Sequence, residues 1–195
     1  MTIVLIRHAE TDMAGRFCGH SDPALNAVGE RQAICVAEEV SKLGIGRICS
    51  SDLRRASQTA AAIAQRTGIA VNYLTGLREI HFGQWEGLAW EEIEVRFPEE
   101  ADLWLRKFPS PSTPGGEAYI PFTARVDTAI ATLLCETADV TTAVVTHRGV
   151  MRYALTKFFG FSEANAWTRT ARYGATVIAT NPARPCECCH ELTRS

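Results

Sequence analysis

Three residue pairs in this chain have the chemistry to handle a phosphoryl group: Arg7-His8, Arg54-Arg55 and His147-Arg148. Guanidinium presents a fork of donors that fits phosphate oxygens two at a time and meets the charge that builds on them during displacement. Neutral imidazole attacks phosphorus directly when its other ring nitrogen is held by a hydrogen bond. Neighbouring arginines disfavour the imidazolium by like-charge repulsion and so keep the ring nucleophilic. One histidine at a strand end is more often structural than catalytic, but two, each beside an arginine, form a stronger pattern. They would also serve as metal ligands. Arg7, Arg55 and Arg148 would repel a divalent ion, however, and Glu10 and Asp52 are too few to offset them. An anion accounts for the charges better than a metal does.

Each pair follows a short apolar run. Ile3-Val4-Leu5-Ile6 leads into Arg7-His8, Arg47-Ile48-Cys49-Ser50 into Ser51-Asp52-Leu53-Arg54-Arg55, and Ala143-Val144-Val145-Thr146 into His147-Arg148-Gly149. Such runs followed by helical patterns read as buried parallel strands. Ligands of open α/β sheets bind beyond the carboxyl ends of the strands, so one rim would receive all three pairs. Helices are predicted over 27–43, with Ala33, Val36, Ala37, Val40 and Leu43 at core spacing and Gly44 and Gly46 as the stop. A second runs from caps at Ser51-Asp52 to Gln65, and a third over 150–159. Further strands are expected at 70–73 and 175–180. Arg55 falls in a first helical turn, where the macrodipole disfavours a cation unless an anion sits between them. Arg54 and Arg55 diverge by about 100° around that helix, so only one faces the site. Alternating strand and helix predicts an α/β fold, a three-layer α/β/α sandwich with a mostly parallel central sheet.

Residues 81–122 break the pattern. Trp85, Trp90, Phe97, Trp104 and Phe108 are followed by a breaker-rich run, Pro109 to Gly116, which reads as a helical excursion and loop capping one end of the sheet. A lid or substrate-selecting cap is expected there, within a single domain over 1–180. The exposed aromatics of the cap leave a homodimer contact open. A cysteine-rich tail, 181–195, carries Cys186, Cys188, Cys189 and His190; without a second ligand pair at zinc spacing, accidental thiols are favoured over a soft-metal site. Cys35, Cys49 and Cys135 sit in apolar patterns and are expected in the core, and Cys18 in a loop.

The 195 residues suffice for one substantial core, and 46% hydrophobic with 22% charged residues is ordinary for a soluble globular chain. A net charge of −2 gives no nucleic-acid footprint, so the anion site must be local. No apolar run approaches the roughly 20 residues that span a bilayer. The opening strand is too short for a signal-peptide core, which makes the cytoplasm the expected compartment.

The segment Leu5-Ile6-Arg7-His8-Ala9-Glu10-Thr11 resembles the signature of the histidine phosphatase superfamily, the phosphoglycerate mutase-like family. The resemblance continues at 19–25, 50–60, 77–87 and 145–150, in the family's order and over nearly the whole chain to about residue 180. It implies that His8 is the phosphorylated nucleophile and that Arg7, Arg55 and His147 form the phosphate pocket. Glu79 would correspond to the proton donor to the leaving oxygen, one acid among 22 that residue chemistry alone does not single out. Thr11 and Arg16 resemble substrate-loop positions, and Arg148 joins the substrate-binding set. No metal and no cofactor are implied. Ala9 replaces the usual glycine after the nucleophile, and Ala14 stands where many members have a phosphate-contacting asparagine.

The resemblance implies a metal-independent phosphoric monoester hydrolase acting on a small-molecule phosphomonoester, with neither nucleic acid nor membrane as partner. Its outline is nearest the α-ribazole phosphatase branch of cobalamin synthesis, with phosphoserine or broad-specificity phosphatases as the alternative. Segment 88–108 is acidic, with Glu91, Glu92, Glu94, Glu99, Glu100 and Asp102 against Arg96, Arg106 and Lys107, a poor dock for the bisphosphate of a mutase. A non-catalytic module that binds phosphorylated ligands would be expected to have lost His8 or Glu79; both are present.

Overall fold

Side-chain alternation in the first strand sets the layers. A computed structural model describes residues 2–109, 111–136 and 140–180, so the cysteine tail with Cys186, Cys188, Cys189 and His190 lies outside the described residues. In β1 (Thr2–Arg7), Ile3 and Leu5 enter one apolar cluster while Val4 and Ile6 enter another on the opposite face. The second cluster is closed by α1 (Ala27–Ser41) and α2 (Arg54–Thr67), through Val36, Val40, Ala60 and Ile63. The first is closed by a helix unforeseen in the sequence, α5 (Tyr119–Glu136), with α6 (Arg148–Phe159) and α7 (Glu163–Arg169). Three layers result, as expected.

The sheet has five strands in the order β3-β2-β4-β1-β5. Strands β2 (Arg47–Ser50), β3 (Val71–Tyr73), β4 (Thr142–Thr146) and β1 run parallel, and β5 (Thr176–Thr180) lies antiparallel against β1. β2, β4 and β1 are therefore side by side with their carboxyl ends on one edge. Ala171 to Ala175, before β5, arrive at that same edge, where the carbonyl of Ala175 accepts from Arg7 N at 2.9 Å.

The cap consists of two short helices, α3 (Trp90–Arg96) and α4 (Pro98–Lys107), on a small apolar centre of Trp85, Ile93 and Ala101. Trp85 is fully buried and meets Phe17, Trp90 and Trp104 edge to face, so this tryptophan is core, with no face left for a ligand. Residues 119–122, the end of the expected insertion, form the first turn of α5, whose Phe122 belongs to the core under the sheet.

Two local expectations need correction. Helix α2 begins at Arg54, and neither Ser51 nor Asp52 caps it. The Ser51 hydroxyl pairs with His147 and the Asp52 carboxylate with Arg78; Asp22, from a distant loop, instead accepts from Arg54 N. Cys35 and Cys135 are exposed rather than in the core, while Cys49 is buried as expected. Their apolar surroundings in sequence lie on helices whose inward faces are set by other residues, such as Val36 and Ala37 in α1 and Leu133 in α5.

Candidate active site

The rings of His8 and His147, from the ends of adjacent strands β1 and β4, have their centres 5.1 Å apart. Both are buried, as are Arg7 and Arg55. Backbone bonding continues past the strands to hold them: His8 N donates to Thr146 O at 2.8 Å and Ser51 N to Val145 O at 2.9 Å.

The orientation of His8 follows from one contact. Its Nδ1 lies 2.8 Å from the carbonyl oxygen of Ala9, which only accepts, so in the neutral ring Nδ1 carries the proton and Nε2 keeps its lone pair. Burial holds the ring well below the usual imidazole range, aided by Arg55 and then Arg7 and opposed by the Ala9 carbonyl. His147 is held down in the same way by burial, then Arg55 and His8. His147 Nε2 pairs with Ser51 Oγ at 2.9 Å, and its Nδ1 is buried without a protein partner.

Both arginines are anchored from behind. Arg55 donates to the carbonyls of Ser21 at 2.7 Å and Gly19 at 2.7 Å, and to Cys18 at 3.1 Å. Arg7 donates to Thr170 O at 3.2 Å and Ala171 O at 2.5 Å, with its guanidinium 4.0 Å from the centre of the Tyr173 ring. The Nε of each is buried with no protein partner. Buried donors normally find partners, so the inner nitrogens of two arginines and one imidazole nitrogen, unmatched in one place, suit an anion. Arg54, one residue away, is exposed, as the helical geometry requires.

The loop that supports Arg55 is itself held by Glu86, which accepts from Gly19 N, His20 N, Ser21 N and Phe82 N at 2.9 to 3.1 Å. Burial opposes ionisation of Glu86, yet the bonds from Ser21, Phe82 and His20 outweigh it and keep the carboxyl below its ordinary range.

Glu79 joins the cluster from the loop after β3. Gly149 N, in the first turn of α6, donates to Oε2 at 2.9 Å, and Ile80 N to Oε1 at 3.1 Å. Its main-chain oxygen accepts from His20 Nε2 at 3.0 Å and Arg125 Nη2 at 2.8 Å. Arg125 also clasps Glu117 and the carbonyls of Gly76 and Arg78. Neither Arg125, Glu117, Ser51 nor Tyr173 was singled out for this site by sequence reasoning.

Beside Glu79 opens a cavity of about 730 Å³, lined by Arg148, Gly149 and Arg152, by Phe17, Phe82, Trp104 and Phe108, and by Tyr119, Tyr153 and Trp167. Arg148, expected in the substrate-binding set, is thus among the residues lining this cavity. Thr11 is buried nearby in sequence, but its hydroxyl accepts from Met13 N at 3.2 Å and so closes its own turn. Arg16 does not join the cluster: its guanidinium bonds Glu92 at 2.6 Å and Gly87 O at 2.8 Å, tying the 11–16 turn to the cap. Ala9 is fully buried and its methyl is accommodated; Ala14 is exposed in that same turn. Among the described residues, no group of three or more His, Cys, Asp or Glu is placed to hold a metal ion, and no helix is long and apolar enough to cross a membrane.

The chain is similar to several phosphatases. Glucosyl-3-phosphoglycerate phosphatase of Mycobacterium tuberculosis is 37% identical over 134 residues, 68% of this chain; the match spans 60% of that relative's length. Phosphoserine phosphatase 1 of Hydrogenobacter thermophilus is 30% identical over 168 residues, 85% of this chain and 80% of the relative. The crystal structure of the α-ribazole phosphatase from Shigella flexneri superposes with a TM-score of 0.81 at 25% identity, covering 91% of this chain and 89% of that one. The family model for branch 1 of the histidine phosphatases matches residues 3–184. With its paired imidazoles between buried arginines and that match over nearly its whole length, the chain belongs to the histidine phosphatase superfamily, branch 1.

Proposed function

We propose that the protein hydrolyses small-molecule phosphomonoesters through a phosphohistidine on His8. The observation that carries this reading is the Nδ1 contact of His8 with the Ala9 carbonyl, which leaves Nε2 unprotonated beside Arg7, Arg55 and His147. In the first step the Nε2–P bond forms as the P–O bond to the leaving group breaks. Arg7, Arg55 and His147 hold the phosphoryl oxygens, and Glu79 delivers a proton to the departing oxygen. In the second, Glu79 takes a proton from water as its oxygen attacks phosphorus, and the N–P bond breaks to free His8 and inorganic phosphate. Two fixed carboxylate oxygens let Glu79 serve both steps from one position. The chain needs neither metal nor cofactor for this, because its guanidiniums supply the positive charge.

Glucosyl-3-phosphoglycerate, phosphoserine and α-ribazole phosphate, suggested by the names of relatives, are the esters to try. The aromatic wall beside Glu79 favours a leaving group with an apolar or aromatic body, the property for which α-ribazole 5′-phosphate enters the panel. The test is hydrolysis of p-nitrophenyl phosphate in EDTA. Turnover should survive chelation, vanish in His8→Ala, and leave acid-labile phosphate on the intact protein after rapid quenching. Full turnover in His8→Ala would overturn the assignment. No isomerisation of 3-phosphoglycerate above background is expected.

A further inference from the structure

Arg148 and Arg152 lie one turn apart on α6, and both line the cavity beside Glu79. Their guanidiniums stack on one ring, with Cζ atoms 4.1 Å and 4.4 Å from the centre of Trp167. Stacking fixes the forks without neutralising them. The Nε of each is buried with no protein partner. Arg152 meets one carboxylate, Glu163, across 3.5 Å, and the Glu163 side chain is 75% exposed, so that contact is weak. Two half-buried, stacked cations whose inner nitrogens are buried and unmatched are costly unless a ligand supplies the acceptors.

We infer that Arg148 and Arg152 on the Trp167 platform form a carboxylate subsite, so that the preferred substrate has a leaving group joining an apolar or aromatic body to a carboxylate. The inference rests on the phosphohistidine reading, which puts the phosphoryl end at His8 and the leaving group past Glu79. The opposite wall of the cavity, Phe82, Trp104 and Phe108, supplies the apolar surface for the body. Charge selects a monoanion. With Glu79 carrying the proton it delivers, two arginines face the single carboxylate of Glu163, and one further negative charge balances them. A second phosphate would overshoot. The volume of about 730 Å³ accommodates a leaving group of drug-like size.

The test measures binding without turnover. Calorimetric dissociation constants of 4-carboxybenzyl phosphonate and its neutral isostere, 4-carbamoylbenzyl phosphonate, are compared on the intact protein. The carboxylate is expected to bind about tenfold tighter, the size of one charge-assisted pair. In Arg152→Met, which keeps most of the stem on Trp167, the preference should fall to within about twofold, and Arg152→Lys should recover part of it. Equal binding by the intact protein, binding of neither compound, or an undiminished preference in Arg152→Met each overturns the subsite. The corresponding phosphate esters separate the two claims. A carboxylate preference in binding with no hydrolysis of either ester would sink the phosphatase reading and leave the subsite standing, whereas hydrolysis of both at equal efficiency with equal binding does the reverse.

Discussion

Two imidazoles lie inside this molecule with their proton affinity suppressed, and pH is the means of seeing it. Burial, Arg55 and Arg7 hold His8 well below its usual range, and burial and Arg55 do the same for His147. In the unfolded chain both titrate near 6.5. Below that pH the unfolded state takes up protons that the folded state refuses, so stability falls with acid. From about pH 7.5 to about pH 5 this loss accumulates from both rings. Urea midpoints across that range should show the fall, and His147→Gln should remove close to half of the histidine share; an identical acid slope in the variant would refute the account. Ring resonances of both residues should remain those of neutral imidazole through pH 6. Arg7, His8, Arg55 and His147 were legible in the sequence because each follows an apolar strand or opens the helix after one. Glu79 was not, except through the family resemblance. It sits in irregular chain, and the groups that fix it, Gly149 N, His20 and Arg125, come from three distant segments.

Elements meet the chemistry most tightly where α6 begins. A Cβ built on Gly149 would stand 2.3 Å from Glu79 Oε1, so the glycine permits the carboxylate to lie against the helix's free amides. Gly149→Ala should displace Glu79 and lower kcat for alkyl phosphates by about 100-fold, with a smaller loss for p-nitrophenyl phosphate, whose leaving group departs without a proton. Equal losses for both would argue against a proton role for Glu79. The loop under Arg55 makes a similar case. Glu86 gathers four amides there, and Glu86→Gln should weaken phosphate binding while the histidine chemistry persists, read as a rise in the inhibition constant of inorganic phosphate. Helix boundaries were predicted less well than strands for a related reason. Ser51 and Asp52 have the composition of caps, but the site takes the hydroxyl for His147 and Arg78 takes the carboxylate. Local propensity is a weak guide where side chains have tertiary partners.

The whole molecule divides into a sheet whose edge gathers the histidines and arginines and a cap with a centre of its own. The strands were readable because buried parallel strands are continuous apolar runs. Helix α5 was missed because it follows the breaker-rich loop and carries Pro121 in its first turn, where proline is tolerated. The aromatics of 81–108 announced a cap, but their division between packing and cavity needed coordinates: Trp85 is sealed, while Trp104 and Phe108 reach the cavity. Trp85→Ala should therefore destabilise by about 3–5 kcal/mol in urea unfolding, a core-sized loss from the smaller unit. A loss under about 1 kcal/mol would mean that the cap contributes little to the fold.

Strand β1 leads into His8 yet is hydrogen-bonded on its two sides by β4 and β5, made of residues 142–146 and 176–180. During synthesis His8 therefore leaves the ribosome before residues 142–180 and waits, without a sheet to hold it, for partners translated many seconds later. The proposed chemistry then requires that β4, which also delivers His147, has emerged. Nascent chains arrested before residue 142 should be silent toward any phosphate ester, however long they are given to fold.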